Sequence, residues 1–514
     1  MSREYLRHVG GRWPQTGLRH SVEVRGRQQL PQPLLRLATD HRQTDKVSFI
    51  IFGGPADCKA TESAIVLRFV DLFSGCGGLS LGLASAGHQG LFSIEKDAMA
   101  FATFKANLID EPRNGLRRFQ WPEWLPKQAC GIDELLAAHR TELESLAAEE
   151  IDLIAGGPPC QGFSFAGRRQ ADDPRNQLFT KYLEVVTIVR PTAVLLENVP
   201  GMAVAHGSSP VFNGKLASGI TGSFLERLVT ELSTLGYDVE ARIVNATDYG
   251  VPQKRSRLIV VGLLKERFRQ ATTRPLAAQV FERLRSHREA FLSSLGLSAP
   301  VTAIEAIGDL SIFGRNGAIW DLKECKDPVS PRGFLEVAYD GRRSRSSYQT
   351  LMRRGMGQEP MDSMRLARHS DEVRSRFSEI IRTCRQGVRM NDQDRATFKL
   401  KKHRIYPMSA DEPAPTITTL PDDILHFGDP RILTVREYAR LQSFPDWFAF
   451  KGKYTTGGDR RTKECPRYTQ VGNAVPPLLG LALGKALEFV IKKHKLDPEV
   501  DLDQESGVVE AQAA

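Results

Sequence analysis

The chain has 514 residues, 41% hydrophobic and 25% charged, with 70 Lys and Arg against 61 Asp and Glu and a formal charge of +9. That length buries a substantial core and accommodates two domains plus extensions, and a mean hydropathy of −0.30 places the chain among globular proteins. No stretch reads as long and apolar enough to span a membrane, the first residues lack a signal-peptide core, and seven cysteines without framework spacing point to a reducing compartment, so a cytoplasmic protein is expected.

Residues 1–64 are rich in Arg and Gln and read as a basic N-terminal extension. From residue 69 the chain reads PheValAspLeuPheSerGlyCysGlyGly, an apolar strand entering a glycine-rich turn, followed by a helix-patterned LeuSerLeuGlyLeuAlaSerAlaGly. Glycines there let backbone approach a ligand closely, and a helix start offers its amides. A second strand, GlyLeuPheSerIleGluLysAsp, delivers Glu95, a position suited to binding ribose hydroxyls; an ordinary strand-end carboxylate is the alternative, since the dinucleotide spacing GxGxxG is absent.

GluGluIleAspLeuIleAlaGly, ending at residue 156, reads as a buried strand, and the loop GlyGlyProProCysGlnGlyPheSer follows it. Each proline fixes its own φ and pushes the preceding residue to extended geometry, so the thiol of Cys160 is aimed. A buried structural cysteine is the alternative for that residue alone. ProThrAlaValLeuLeuGluAsn is a further strand, carrying Glu197 near its end. In GlnLysArgSerArgLeuIleValValGly, from residue 253, Arg255 and Arg257 alternate, which predicts both side chains on one face at the strand's start, with a solvated rim as the alternative for Lys254. Between about 265 and 430 the strand–helix alternation is lost, Arg, Gly and Ser become frequent, and MetArgLeuAlaArgHisSerAspGluValArgSerArgPheSerGluIleIle predicts one amphipathic helix packed on a core. AspGlyArgArgSerArgSerSer at 340–347 reads either as a phosphate contact or as a solvated loop. ArgGluTyrAlaArgLeuGlnSerPheProAsp at 436–446 and GlnValGlyAsnAlaValProPro at 470–477 precede a small, acidic tail.

Six motifs in this order over about 65–490, namely PheValAspLeuPheSerGlyCysGlyGly, GlyProProCysGln, GluAsnValPro at 197–200, GlnLysArgSerArg at 253–257 and the motifs at 436–446 and 470–477, resemble the DNA (cytosine-5)-methyltransferase family, of the prokaryotic modification type. The resemblance implies an α/β fold: a Rossmann-like S-adenosylmethionine-dependent methyltransferase sheet with helices on both faces, plus a smaller target-recognition domain. Its boundaries would be a catalytic domain at 65–264, target recognition at 265–450, a hinge at 451–469, a return to the catalytic domain at 470–495 and a mobile tail at 496–514. It implies transfer of a methyl group from S-adenosyl-L-methionine, leaving S-adenosyl-L-homocysteine, to C5 of a cytosine flipped out of duplex DNA. Base-modifying methyltransferases extrude their target because C5 is inaccessible in the stack.

The chemistry accounts for the residue types. C5 is a poor nucleophile, so a thiolate must first add at C6; the resemblance gives this role to Cys160. It gives Glu197 a proton or strong hydrogen bond at N3, Arg257 a base-side contact, and Arg255 a share in stabilising developing charge. The cofactor would be held by Phe73, Ser74, Gly75, Gly77 and Gly78 in the turn, by Glu95 and Lys96, by Asp133 in GlyIleAspGluLeu, by Pro158, by Leu178 in AspProArgAsnGlnLeuPhe, and by Asn473, Ala474 and Val475. No metal is expected, for the sequence has no spaced Cys/His cluster. Implied partners are double-stranded DNA and, for a modification enzyme, a cognate restriction endonuclease; a monomer without membrane attachment is expected.

Two alternatives stay open. An RNA cytosine-5 methyltransferase uses the same thiol chemistry, but the transfer-RNA branch resembling DNA enzymes carries a CysPheThr motif that this chain lacks. A catalytically silent DNA-binding regulator would not need Cys160, Glu197 and Arg257 together.

Overall fold

The computed structural model describes residues 65–113, 115–159, 177–203, 224–268, 274–312, 322–339, 345–357, 359–456 and 463–495. The expectations for 1–64, Cys160 and 496–514, and most of those for 173–179 and 340–347, fall outside these residues.

Six strands form the central sheet: β1 (Arg68–Leu72), β2 (Gln89–Ile94), β3 (Leu153–Gly156), β4 (Ala193–Asn198), β5 (Tyr237–Asn245) and β6 (Ser256–Leu264), in the order β2-β1-β3-β4-β6-β5. The first four run parallel, and β6 is antiparallel to both β4 and β5. Their near-continuous apolar sequences suit strands covered on both sides. Alternate residues feed two cores: Phe69, Leu153, Leu195 and Ile259 pack on one face, and Val70, Ile154, Leu196 and Val260 on the other. The sheet is therefore the Rossmann-like, doubly covered α/β arrangement expected.

β1 has β2 on one side and β3 on the other, so the chain leaves the carboxyl ends of β1 and β3 toward opposite edges. That reversal opens the crevice in which such sheets bind ligands. The glycine-rich turn follows β1 and the ProProCys loop follows β3, which brings the two strongest motifs to one place.

The last helix, Pro477–His494, closes over the helix Gly78–Ser85. A Cβ at Gly82 would lie 2.6 Å from Pro477 O and 2.7 Å from Gly480 Cα, and one at Gly78 only 2.2 Å from Val475 O. Contrary to expectation, the segment ending in this helix is long and apolar enough to cross a membrane. With 83% of its apolar window buried, it is a core helix, and burial of most of its surface is the reason for its composition.

Beyond β6, two-stranded ladders pair Leu322–Glu324 with Leu335–Val337 and Tyr406–Pro407 with Ile424–Leu425, each beside a small core of its own. The amphipathic helix expected from Met364 begins only at Asp371 and runs to Thr383: the Ser370 hydroxyl accepts from Val373 N and caps it there, and residues 364–370 are not helical. The helix Val435–Leu441 buries two arginines. Arg440 lies 2.6 Å from Asp309 Oδ1 and 2.7 Å from Asp446 Oδ1, and Arg436 donates to the carbonyls of Asp362, Pro445 and Phe448. These side chains organise this part of the fold and are used up in doing so.

The contact between the two helices decides the effect of Gly82→Ala. Helix propensity alone favours Ala by about 0.8–1 kcal/mol, but the added methyl meets backbone that cannot yield, at a cost of about 1–3 kcal/mol. The variant should be less stable in urea unfolding; a gain in stability would show that the two helices separate freely.

Candidate active site

The turn after β1 is built by backbone conformation. Phe73 has φ 63°, Gly75 57° and Gly77 95°, a run of left-handed residues in which Phe73 alone carries the strain of a side chain. A Cβ at Gly75 would meet nothing within 4 Å, so this glycine faces open space. One at Gly77 would strike Phe104 and Leu108, and Gly78 is hemmed in by Val475 O. Of the three glycines, Gly75 is the one whose open face suits a ligand, while Gly77 and Gly78 serve packing.

Glu95 ends β2 with its carboxylate bound at both oxygens: Gly75 N donates to Oε2 at 3.0 Å and Asp97 N to Oε1 at 2.7 Å. Burial raises its pKa, and the two amides oppose the rise. Ser74 accepts from the Ser93 hydroxyl, joining the turn to β2 a second time. Cys130 N donates to Glu95 O at 2.9 Å, so the start of the helix Ile132–Ala138 lies beside the same strand end. Asp133, in that helix's first turn, is exposed and 3.9 Å from Lys181 Nζ; Lys96 is exposed, and Leu178 is half-buried against the core on that face.

Beneath the turn lies a residue the sequence reading passed over. Asp71 is 1% exposed and takes a 2.5 Å hydrogen bond from Ser80 Oγ. Desolvation pushes its pKa up to about 7. The available signal was an acidic residue inside an apolar strand, which must find a partner or a proton.

The second half of the site stands on β4 and β6. Their antiparallel register places Glu197 opposite Ile259, and Arg257 Nε lies 2.8 Å from Glu197 Oε1, both side chains about nine-tenths buried; the pair is close, though the N–H is not aligned as a hydrogen bond. Asn198, the last residue of the quoted ProThrAlaValLeuLeuGluAsn run but not singled out, donates from Nδ2 to Pro158 O at 3.0 Å, tying the ProPro loop to β4. A Cβ at Gly157 would come 3.3 Å from Glu197 O and 3.5 Å from Glu197 Oε2, so the start of this loop lies directly beside that carboxylate.

Arg255 does not share a free face with Arg257. It precedes the strand and is buried, donating to Gly472 O at 3.2 Å and Ala474 O at 3.0 Å. Burial, and then the neighbouring Arg257, hold its pKa well below the usual arginine value. It thereby clamps the 470–477 motif against the catalytic edge. Gln442 Nε2 donates to Val471 O and Ala474 O, and Gln253 Nε2 to Gln442 Oε1. Asn473 is exposed, and Val475 O packs on Gly78. The fold thus gathers Phe73, Ser74, Gly75, Glu95, Ala474 and Val475 around the first turn, and Glu197, Arg257 and Pro158 around the loop after β3.

Residues 67–488 match the family described as C-5 cytosine-specific DNA methylase. The chain belongs to that family. This methylase is 30% identical over 444 residues to the Type II methyltransferase M.DdeI of Desulfomicrobium norvegicum, covering 84% of this chain and 90% of the relative. It is 29% identical over 452 residues to M.XorII of Xanthomonas oryzae pv. oryzae, covering 84% and 86%. A crystal structure of a prophage-encoded E. coli protein, described as a candidate DNA modification methyltransferase, superposes with a TM-score of 0.53 at 24% identity, over 83% of this chain and 99% of the other, and supports the fold. The protein is accordingly a DNA (cytosine-5)-methyltransferase.

Two measurements follow from the methylase's carboxylates. Asp71 has a folded pKa above its unfolded value, so its ionisation is disfavoured by the fold. Stability should decline as pH rises from about 4 to about 7, by at most about 1.4 kcal/mol per pH unit, and Asp71→Asn should remove that decline. Unfolding midpoints of parent and variant across this range test it; a constant difference would mean that Asp71 titrates normally. Glu95→Ala should weaken S-adenosyl-L-methionine binding by about 1.5–3 kcal/mol in calorimetry if charge-assisted hydrogen bonds to the ribose are lost. Unchanged affinity would leave Glu95 as a brace for the turn.

Proposed function

We propose that this protein is the sequence-specific modification methyltransferase of a type II restriction-modification system, acting on C5 of a cytosine extruded from duplex DNA through a covalent Cys160–C6 adduct. The observation that carries the reading is the Glu197–Arg257 pair at 2.8 Å beside a loop that Asn198 anchors at Pro158, two residues before Cys160. The relatives named as Type II methyltransferases support the restriction-modification context. The same reading takes a cognate endonuclease as partner, a monomer as the acting unit and the cytoplasm as its location.

The Cys160 thiolate forms the bond to C6, and electron density moves toward N3. A proton held by Glu197 at N3 stabilises the adduct, with Arg257 fixing that carboxyl group and facing the base. The open backbone at Gly75, the Glu95 carboxylate and the backbone of Ala474 and Val475 fit a nucleoside-bearing cofactor. S-adenosyl-L-methionine, when bound there, supplies an electrophilic methyl group. Transfer of the C5 proton to solvent, expulsion of the Cys160 thiolate and return of the N3 proton to Glu197 restore the aromatic ring and the enzyme. Arg255 acts by position, holding the closing motif against the catalytic edge. The interval 265–450 is taken as target recognition, and phosphate contacts alone cannot report base identity.

Cys160→Ser should abolish methyl transfer with cofactor affinity retained, because an alkoxide is hard to form and a poor leaving group here. Turnover within about tenfold of the parent, roughly 1.4 kcal/mol, would remove Cys160 from the mechanism, as would absence of a denaturation-resistant complex with 5-fluorocytosine DNA. Exchanging residues 265–430 for the matching interval of a relative with another target should move the methylated sequence, mapped by bisulfite sequencing. An active hybrid that keeps the parental target would place recognition elsewhere.

A further inference from the structure

Between residues 382 and 404 the chain carries eight Arg and Lys against two Asp, so this short segment holds +6 of the formal +9. Two of the cations are spent locally: Arg395 pairs with Asp392, and Lys402 lies 2.6 Å from both Asp422 and Asp423. The other six, Arg382, Arg385, Arg389, Lys399, Lys401 and Arg404, are exposed and form no ion pair among the described residues. They project from a small core of Ile380, Met390 and Ile405 with Phe377 and Phe398 against it, so the segment is held in shape independently of its charges. Met390 N donates to Ile405 O and Gly387 N to Pro407 O, which sets Arg389 and Arg404 on adjoining runs of chain.

This segment abuts the catalytic edge. A Cβ at Gly387 would lie 3.0 Å from Glu412 Oε2, and that carboxylate pairs at 2.5 Å with Lys254, the residue before Arg255. Lys254 N donates to Ala414 O, and Ala414 N to Pro252 O. Arg385 adds to the field on Glu412, whose pKa is lowered chiefly by Lys254. Six unpaired cations in one short segment repel one another, an arrangement that a polyanion relieves.

We propose that Arg382, Arg385, Arg389, Lys399, Lys401 and Arg404 form a clamp for the phosphate backbone of duplex DNA beside the extruded base. The role rests on the methyltransferase reading above and goes beyond it in separating a sequence-independent grip from base recognition. Neutralising phosphates releases condensed counterions, so such a grip has a signature in salt dependence that a base contact lacks.

The test uses the full chain, a duplex oligonucleotide bearing the mapped target, and the triple variant Arg389→Gln, Lys401→Gln, Arg404→Gln. All three positions are exposed, so the variant should fold like the parent. The slope of log affinity against log salt should fall by about 0.9 per lost contact, hence by about 2–3 in all. The methylated sequence and kcat at saturating DNA should stay those of the parent. Removing equal charge with Arg227→Gln, Lys492→Gln, Lys493→Gln should leave the slope nearly as it was. An unchanged slope in the first variant overturns the clamp, as does an equal fall in the control, which would report net charge alone. A changed target sequence would make these residues base readers, and a loss confined to single-stranded RNA would point to another nucleic acid. A parent that methylates no DNA would sink the functional reading instead, so the two failures are distinguishable.

Discussion

The fold depends on how the backbone of residues 471–474 is caught on its return to the sheet. Gln442 Nε2 gives its two protons to Val471 O and Ala474 O, while its Oε1 accepts from Gln253 Nε2. Gln253 Oε1 in turn accepts from Ile417 N, and Arg255 takes Gly472 O and Ala474 O. Four stretches of chain are satisfied by one another, and water has little access to repair a break. In such a setting a lost partner costs more than the bond was worth, since a buried polar group is left unmade. The network fixes Val475 O against Gly78, and with it the spacing between the glycine-rich turn and the closing motif.

Topology does the rest of the positioning. Because β6 runs antiparallel beside β4, Arg257 enters the site from the opposite chain direction and reaches Glu197 across one strand spacing. A parallel β6 would have put its first residues at the other end of the sheet. On the neighbouring strands, β1 and β3 release their chains at the crevice between them, so the glycine-rich turn and the start of the ProPro loop share it.

Much of this was legible because the motifs join strand ends to turns, where local sequence rules hold. Apolar runs marked β1 to β4 and β6, and the paired prolines and clustered glycines marked the loops. Strand order was not legible, since the insertion of β6 between β4 and β5 is decided by pairing between distant segments. Arg255 and Arg257 look equivalent by alternation, yet Arg255 lies one residue outside the strand, where the chain is still turning, and its partners are some 220 residues away. Asp71 was missed because its meaning depends on burial that four flanking elements create. The closing helix misled for the same reason: a largely buried core helix and a membrane span have similar composition.

The site joins the two ends of the recognisable chain. Cys76 Sγ donates to Gln470 O across 394 residues, and Thr103 Oγ1 to Gln470 Oε1 across 367. Closing so long a loop costs little more entropy than closing one of half the length, since the penalty grows only with the logarithm of length. What it costs is time, because contacts distant in sequence form after local ones. Contacts within residues 68–104 are local by comparison and precede those to Gln470 in that order. The glycine-rich turn therefore gains its facing wall only when residues 467–494 have docked, which makes that docking a condition of stability for both ends of the fold.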